Sequence, residues 1–326
     1  MSRVVVIGAT GHVGGYLVPR LVAAGHEVVA ISRGVSTPYR DDPAWENVER
    51  IALDREAGDA DGTFGAAIAD LNPDVVIDMV CFTRDSAEKL VDAIRGRVDL
   101  LLSCGTIWIH GPASAVPVEE HEARNAFGDY GTQKAEIEEY LLTQSRDGGV
   151  PTSVLHPGHI TGPGWHMINA AGNLDLGVWR TLAAGEPLVL PNFGLETVHH
   201  VHADDVAQAF QLALEKPEAA VGNGYHVVSE RAVTLRGIAE AAAGWFGQEA
   251  NLTFLPFDEF RAATPAEHAD ATWEHIARSP SMSIESAKRD LGYAPNYTSL
   301  EAIAEGLQWL IDDGQLDVGG RELRRA

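Results

Sequence analysis

Two cysteines in 326 residues, Cys81 and Cys104, cannot build a disulfide framework and suit a reducing compartment. Positive charge is scarce too. The 24 Lys and Arg stand against 47 Asp and Glu, a formal net charge of −23. So acidic a surface repels phosphate backbones, which excludes nucleic acid as an expected partner. No apolar run approaches the roughly 20 residues that a helix needs to cross a bilayer, so no membrane partner is expected either. Repeats and low-complexity stretches are missing, and because the sequence opens on the apolar run Arg3-Val-Val-Val-Ile7 no cleavable leader is expected. The expectation is a cytoplasmic protein that handles a small molecule. Hydrophobic residues at 45% and charged residues at 22% supply a core without staples.

Short apolar runs at 4–7, 28–31, 48–53, 75–79, 100–103 and 153–156 read as buried strands. Helical spacing lies between several of them, at 13–24, 66–71, 86–94 and 130–145. That alternation gives right-handed crossovers and a parallel sheet covered on both faces. Beyond Pro157 the rhythm loosens. Helices are expected near 173–184 and at 204–215, 234–246, 283–291 and 300–311, with strands at 187–191, 225–228 and 252–255. The expected fold class is α/β, a Rossmann-like doubly wound parallel sheet with a smaller C-terminal α+β substrate-binding lid. Residues 1–157 form the dinucleotide-binding domain, with a return segment near 195–225, and 158–326 form mainly the lid. The tail 319–326, with three arginines, is expected to fray.

Gly8-Ala-Thr-Gly11-His-Val-Gly14 leaves the first expected strand and opens the first helix. Gly8 allows the turn, Gly11 the approach of a pyrophosphate, and Gly14 close packing of helix on sheet. Thr10, His12 and Val13 complete the loop, and the helix N-terminus offers unpaired N–H groups to an anion. The spacing differs from the commonest dinucleotide fingerprint, G-x-G-x-x-G. Its place at a strand–helix junction favours cofactor binding over a mere tight turn. An NAD site usually sets a carboxylate at the end of the second strand, where this chain has Ser32 and Arg33. Serine and arginine can hold a 2′-phosphate that a carboxylate would repel, which favours NADP(H). NAD(H) is the alternative if Arg33 stacks on adenine. Asp54 closes the third strand as an adenine contact or as an ordinary turn residue.

Tyr130 and Lys134 stand four apart at the start of a helical segment, so phenol and ammonium share one helix face. A free phenol titrates near pH ~10, and a neighbouring cation favours its ionised form. With seven Tyr and four Lys in the chain, chance produces such a pair in about one chain of this composition in ten.

With these motifs the chain resembles the extended short-chain dehydrogenase/reductases, the group of NAD-dependent epimerases and dehydratases. Leu155-His-Pro-Gly158 followed by Gly162-Pro-Gly164, the segment His202-Ala-Asp-Asp205, and Ala287-Lys-Arg-Asp-Leu-Gly292-Tyr are similar to that group's later signatures. The resemblance implies that Tyr130 moves a proton, that Lys134 orients the nicotinamide ribose and tunes Tyr130, and that nicotinamide exchanges hydride. It selects Thr106 as the hydroxyl that meets the reacting oxygen, with Ser103 as the alternative register. It also places His156 among the cofactor contacts and implies a homodimer through paired helices. Dehydratases of the group follow the threonine with Asp-Glu, whereas this chain has Ile107 and Trp108. Nucleotide-sugar epimerases commonly carry an arginine four residues before the position of His202, and here that residue is Val198. Arg180 or Arg278 could replace it.

Trp108, His159, Trp165, His199 and His200 fall in segments expected to border the substrate. The histidines match no metal-ligand spacing, so no metal is expected; His199 and His200 could instead meet an anionic or hydroxylated substrate. The leading expectation is an NAD(P)-dependent epimerase of the nucleotide-sugar type, acting on a secondary carbinol of a sugar-like substrate. The alternatives are an NADPH-dependent ketoreductase or dehydrogenase on a small carbonyl compound, and a non-catalytic nucleotide-binding sensor.

Overall fold

The computed structural model describes residues 1–35, 37, 38 and 40–324. The apolar runs form β1 (Arg3–Ile7), β2 (Glu27–Ser32), β3 (Glu49–Ala52), β4 (Val75–Asp78), β5 (Leu100–Cys104) and β6 (Thr152–Pro157). Four short strands follow, β7 (His159–Thr161), β8 (Leu188–Pro191), β9 (Thr197–Val198) and β10 (His200–His202). They precede β11 (Gly224–Val227), β12 (Val233–Thr234) and β13 (Leu252–Leu255). One parallel sheet takes the order β11-β6-β5-β4-β1-β2-β3. Strand order reverses between β1 and β4, which opens a crevice at their C-terminal ends, where such sheets bind ligands.

The helices before β6 are α1 (Gly14–Ala23), α2 (Arg55–Asp61), α3 (Phe64–Asp70), α4 (Arg84–Ile94) and α5 (Gly128–Arg146). Those after it are α6 (Leu176–Ala184), α7 (Ala203–Glu215), α8 (Pro217–Ala220), α9 (Leu235–Trp245), α10 (Phe257–Ala263), α11 (Ala266–Ile276) and α12 (Ser299–Asp312). Alternation along β1 sorts the two faces. Val4 and Val6 join Leu17 and Leu21 of α1 and Val206 and Phe210 of α7 in one core. Val5 and Ile7 join Ile68 of α3, Leu90 and Ile94 of α4, and Ile137 and Leu141 of α5 in another. A third core gathers Trp179, Leu190, Ile238, Ala242, Leu307 and Leu310 from α6, β8, α9 and α12. After the third-core strands and helices begin, the chain returns to the sheet: α7 joins the first core and β11 pairs with β6.

Three expectations change. The segment 283–291 is helical only from residue 285, and runs as a π-helix over Ala287–Leu291. Helices α10 and α11 were not anticipated, because α11 buries Ala269, Thr272, His275 and Ile276, a stripe too polar to show a period. The tail does not fray through residue 324. Leu323 packs on the third core and the Arg324 N–H donates to the Trp245 carbonyl at 2.7 Å, while 325 and 326 lie outside the described residues. Among the described residues no helix is long and apolar enough to cross a membrane.

Candidate active site

The glycine loop runs from β1 into α1. Gly8 adopts φ +85°, and a Cβ there would come within 2.8 Å of Val80 Cγ1. At Gly14 a Cβ would overlap the Ala9 carbonyl oxygen. Val13 at the N-cap supplies no side-chain cap, so the first turn of α1 keeps backbone donors for an anion. A pyrophosphate therefore fits against Gly11, His12 and Val13. His12 contributes no cation. Burial, assisted by His202 and opposed by its bond to Pro163, pushes it down to about 4. Its Nε2 lies 3.0 Å from the Pro163 carbonyl oxygen, and its ring stacks on Trp165 at 5.8 Å.

At the end of β2 the Ser32 hydroxyl accepts from Gly34 N at 3.3 Å, and Arg33 is exposed beside it. Asp54 caps α2 by accepting from Ala57 N at 3.1 Å, and remains exposed.

The three side chains expected to be catalytic meet where β5 ends. Thr106 N-caps a 3₁₀ turn, Ile107–His110, accepting from Trp108 N at 3.3 Å, and its side chain hydrogen-bonds the Tyr130 hydroxyl. Ser103 is buried inside β5. Lys134, only 2% exposed, donates to the Cys104 carbonyl at 2.7 Å. Its ammonium sits 5.8 Å from the Tyr130 ring centre and 5.0 Å from that of Phe82. Tyr130 as a whole is 44% exposed. Burial and the nearby Cys104 push the phenol up to about 12, against the Thr106 hydrogen bond. This is opposite to the direction expected from a neighbouring ammonium, and the Lys134 ammonium donates to the Cys104 carbonyl instead.

Trp108 meets Tyr130 edge-on at 5.7 Å, His275 at 5.3 Å and His159 at 6.2 Å. His159 and His275 lie 4.8 Å apart, and the parallel pairing of β7 with β10 sets His200 opposite His159. Burial lowers His275 to about 4, His199 to about 4 and His200 to about 3, and drives His159 well below its ordinary value. These imidazoles are neutral at pH 7. As neutral rings, His199 and His200 would offer a substrate hydrogen bonds rather than positive charge. His199 also spends both nitrogens, Nδ1 accepting from Met282 N at 3.1 Å and Nε2 bonding the Ser229 carbonyl at 2.8 Å. His200 bonds the Ile168 carbonyl through Nε2 at 3.1 Å.

Two further residues of the expected site have partners within the fold. Trp165 stacks on His12 of the phosphate loop. His156 has no nitrogen left for a cofactor, since Nδ1 accepts from Thr106 N at 3.2 Å and Nε2 bonds Glu138 Oε1 at 2.8 Å. Burial pushes the Cys81 thiol up to about 12, consistent with a packing residue.

Arg278 lies between Trp108 and Phe127, 3.8 Å from each ring centre. Nη1 bonds Glu274 Oε2 at 2.7 Å and Nη2 bonds the Phe127 carbonyl at 2.7 Å. Arg180 is exposed on α6, and Val198 is fully buried in β9. Sequence reasoning missed Phe82, Phe127, Glu138 and His275. Only Glu138 left a signal, because it continues the face of Tyr130 and Lys134 at the same spacing.

Residues 4–228 match the NAD dependent epimerase/dehydratase family. The chain belongs to that family. It is a nicotinamide-dependent enzyme of the extended short-chain dehydrogenase/reductase type. The chain is 30% identical to 2'-dehydrokanamycin reductase of Streptomyces kanamyceticus, over 98% of this chain and 87% of that protein. It is 24% identical to the chloroplast stem-loop binding protein of 41 kDa b of Arabidopsis thaliana, over 99% and 81%. UDP-glucose 4-epimerase of Thermotoga maritima shares the fold with a TM-score of 0.72 at 18% identity, covering 95% of this chain and 99% of that one. UDP-glucuronic acid 4-epimerase of Bacillus cereus, in complex with UDP-glucuronic acid and NAD, gives 0.70 at 16%, over the same shares.

Proposed function

We propose that this enzyme is a net ketone reductase, working in either direction on a small hydroxylated substrate that carries no nucleotide diphosphate, with NADP(H) as cofactor. The observation that carries this reading is the missing diphosphate clamp. Val198 is buried where epimerases commonly place arginine, and Arg278 spends its terminal nitrogens on Glu274 and Phe127. Likeness along nearly the whole chain to 2'-dehydrokanamycin reductase points the same way. The stem-loop binding relative offers less, since a net charge of −23 repels a phosphate backbone.

Gly11, His12 and Val13 would hold the pyrophosphate, Ser32 and Arg33 the 2′-phosphate, and Lys134 the nicotinamide ribose. The bound nicotinamide supplies or accepts hydride at the substrate carbon. In reduction the Tyr130 hydroxyl gives its proton to the carbonyl oxygen as that oxygen becomes an alcohol, and solvent reprotonates Tyr130. Thr106 hydrogen-bonds the same oxygen, and Trp108 walls the substrate. The His159 Nε2, buried with no hydrogen-bond partner among the described residues, is suited to a substrate hydroxyl.

A redox-neutral epimerase is the second reading, favoured by the contact of His12 with Pro163 and Trp165, which would retain a bound dinucleotide. The two separate on purification. A reductase releases little nicotinamide on denaturation and consumes NADPH in step with product across a panel of hydroxyketones. Stoichiometric retained cofactor, with interconversion of sugar epimers and no net NADPH loss, would replace the first reading by the second.

A further inference from the structure

Behind Thr106 lies a buried polar chain with no direct part in the chemistry above. Arg124 donates to Glu138 through Nε at 2.7 Å and Nη2 at 2.8 Å, and Glu138 accepts from His156 Nε2 at 2.8 Å. The imidazole ends the chain by accepting the Thr106 N–H at Nδ1. Accepting there forces the tautomer, because the proton must sit on Nε2 and face the carboxylate. Burial opposes the charge on Glu138, but His156 and Arg124 hold it well below the usual carboxylate range. The slot is shaped for this ring. A Cβ on Gly105 would overlap His156 Nδ1, and one on Gly224 would come within 3.0 Å of both His156 Nε2 and Glu138 Oε1. Arg124 is itself tied to the carbonyls of Glu120 and Glu122, at 2.7 and 2.6 Å.

We propose that His156, oriented by Glu138 and Arg124, is a positioning residue for the reaction: it fixes the Thr106 backbone and so the hydroxyl that bonds Tyr130. The proposal rests on the reading that Tyr130 and Thr106 handle the reacting oxygen, whichever net reaction they serve. Ordinary packing would need only a buried side chain of similar volume. Positioning needs an acceptor at the δ position.

His156→Asn keeps such an acceptor, and His156→Leu removes it while remaining apolar. In the full chain, kcat is expected to fall at least tenfold in His156→Leu with KM and the NADPH Kd within about twofold of wild type. His156→Asn should recover most of that loss although its melting temperature is no higher than that of His156→Leu. Exchange of the Thr106 amide, followed residue by residue, should be slow in the wild type and in His156→Asn and fast in His156→Leu. That readout needs no turnover, so it tests the anchor even if no ketone is reduced; kcat is then read on whichever hydride-transfer reaction the wild type performs. Equal kcat in both variants, a kcat order that follows melting temperature, or unchanged amide exchange in His156→Leu would overturn the proposal.

Discussion

Tyr130 keeps its proton at neutral pH, since burial and Cys104 outweigh the Thr106 hydrogen bond. A protonated donor bonded to Thr106 suits delivery to an oxygen that is gaining negative charge. Tyr130→Phe removes that proton while keeping the ring against Trp108. Turnover should fall by ~10²-fold or more with little change in melting temperature, because general acid help of this kind is worth ~10²–10⁴-fold. Steady-state rates beside a thermal melt check both halves. At the other end of the proposed cofactor site, Arg33 is the charge expected to separate the two dinucleotides. Hydrogen bonds to charged groups contribute about 1.5–3 kcal/mol, so Arg33→Ala should weaken NADPH binding by roughly 10–100-fold. NADH binding should change far less. Equal loss for both, measured by calorimetry, would place Arg33 on adenine.

Helix α5 carries the site on one face, with Tyr130, Lys134 and Glu138 stacked a turn apart, and β5 presents its last carbonyl to Lys134. The fit between helix and strand end depends on Gly105. Gly105→Ala drives a methyl into His156, and overpacking of this sort costs about 1–3 kcal/mol. A urea titration should show that loss, and turnover should fall with it. The elements of this half were legible because β-branched runs and glycine-rich turns leave strong local patterns: β1, the loop to α1, and the Tyr130–Lys134 spacing all lie where the residues indicate. The direction of the Tyr130 shift was not legible. It depends on burial of the phenol by the folded chain, with Cys104 brought to it at the end of β5. His275 was equally hidden, since it reaches Trp108 from α11, a helix whose polar stripe leaves no period.

At the scale of the whole molecule, the buried histidines decide how the fold answers acid. His12, His110, His199 and His275 are lowered to about 4 and His200 to about 3, chiefly by burial, with His159 and His226 also well below their ordinary value. His110 and His226 meet Nε2 to Nε2 at 2.8 Å, an arrangement with room for one proton between the rings. In the unfolded chain each imidazole takes up a proton near pH ~6.5. Between that pH and about 4 the unfolded state therefore binds more protons than the folded one, so stability is full above about 6.5 and declines as the pH falls. Each such group contributes up to about 1.4 kcal/mol per pH unit in that window. Several together approach the roughly 5–15 kcal/mol that holds a domain folded. The acidic surface works the other way, since acid relieves the self-repulsion of −23 charges, but most exposed carboxylates titrate below the histidine window. The melting temperature should accordingly fall steeply between pH 6.5 and 4.5, with net proton uptake on unfolding seen by calorimetry in buffers of different ionisation heat. A melting temperature that is flat or rising over that interval would mean that these rings are charged in the folded protein.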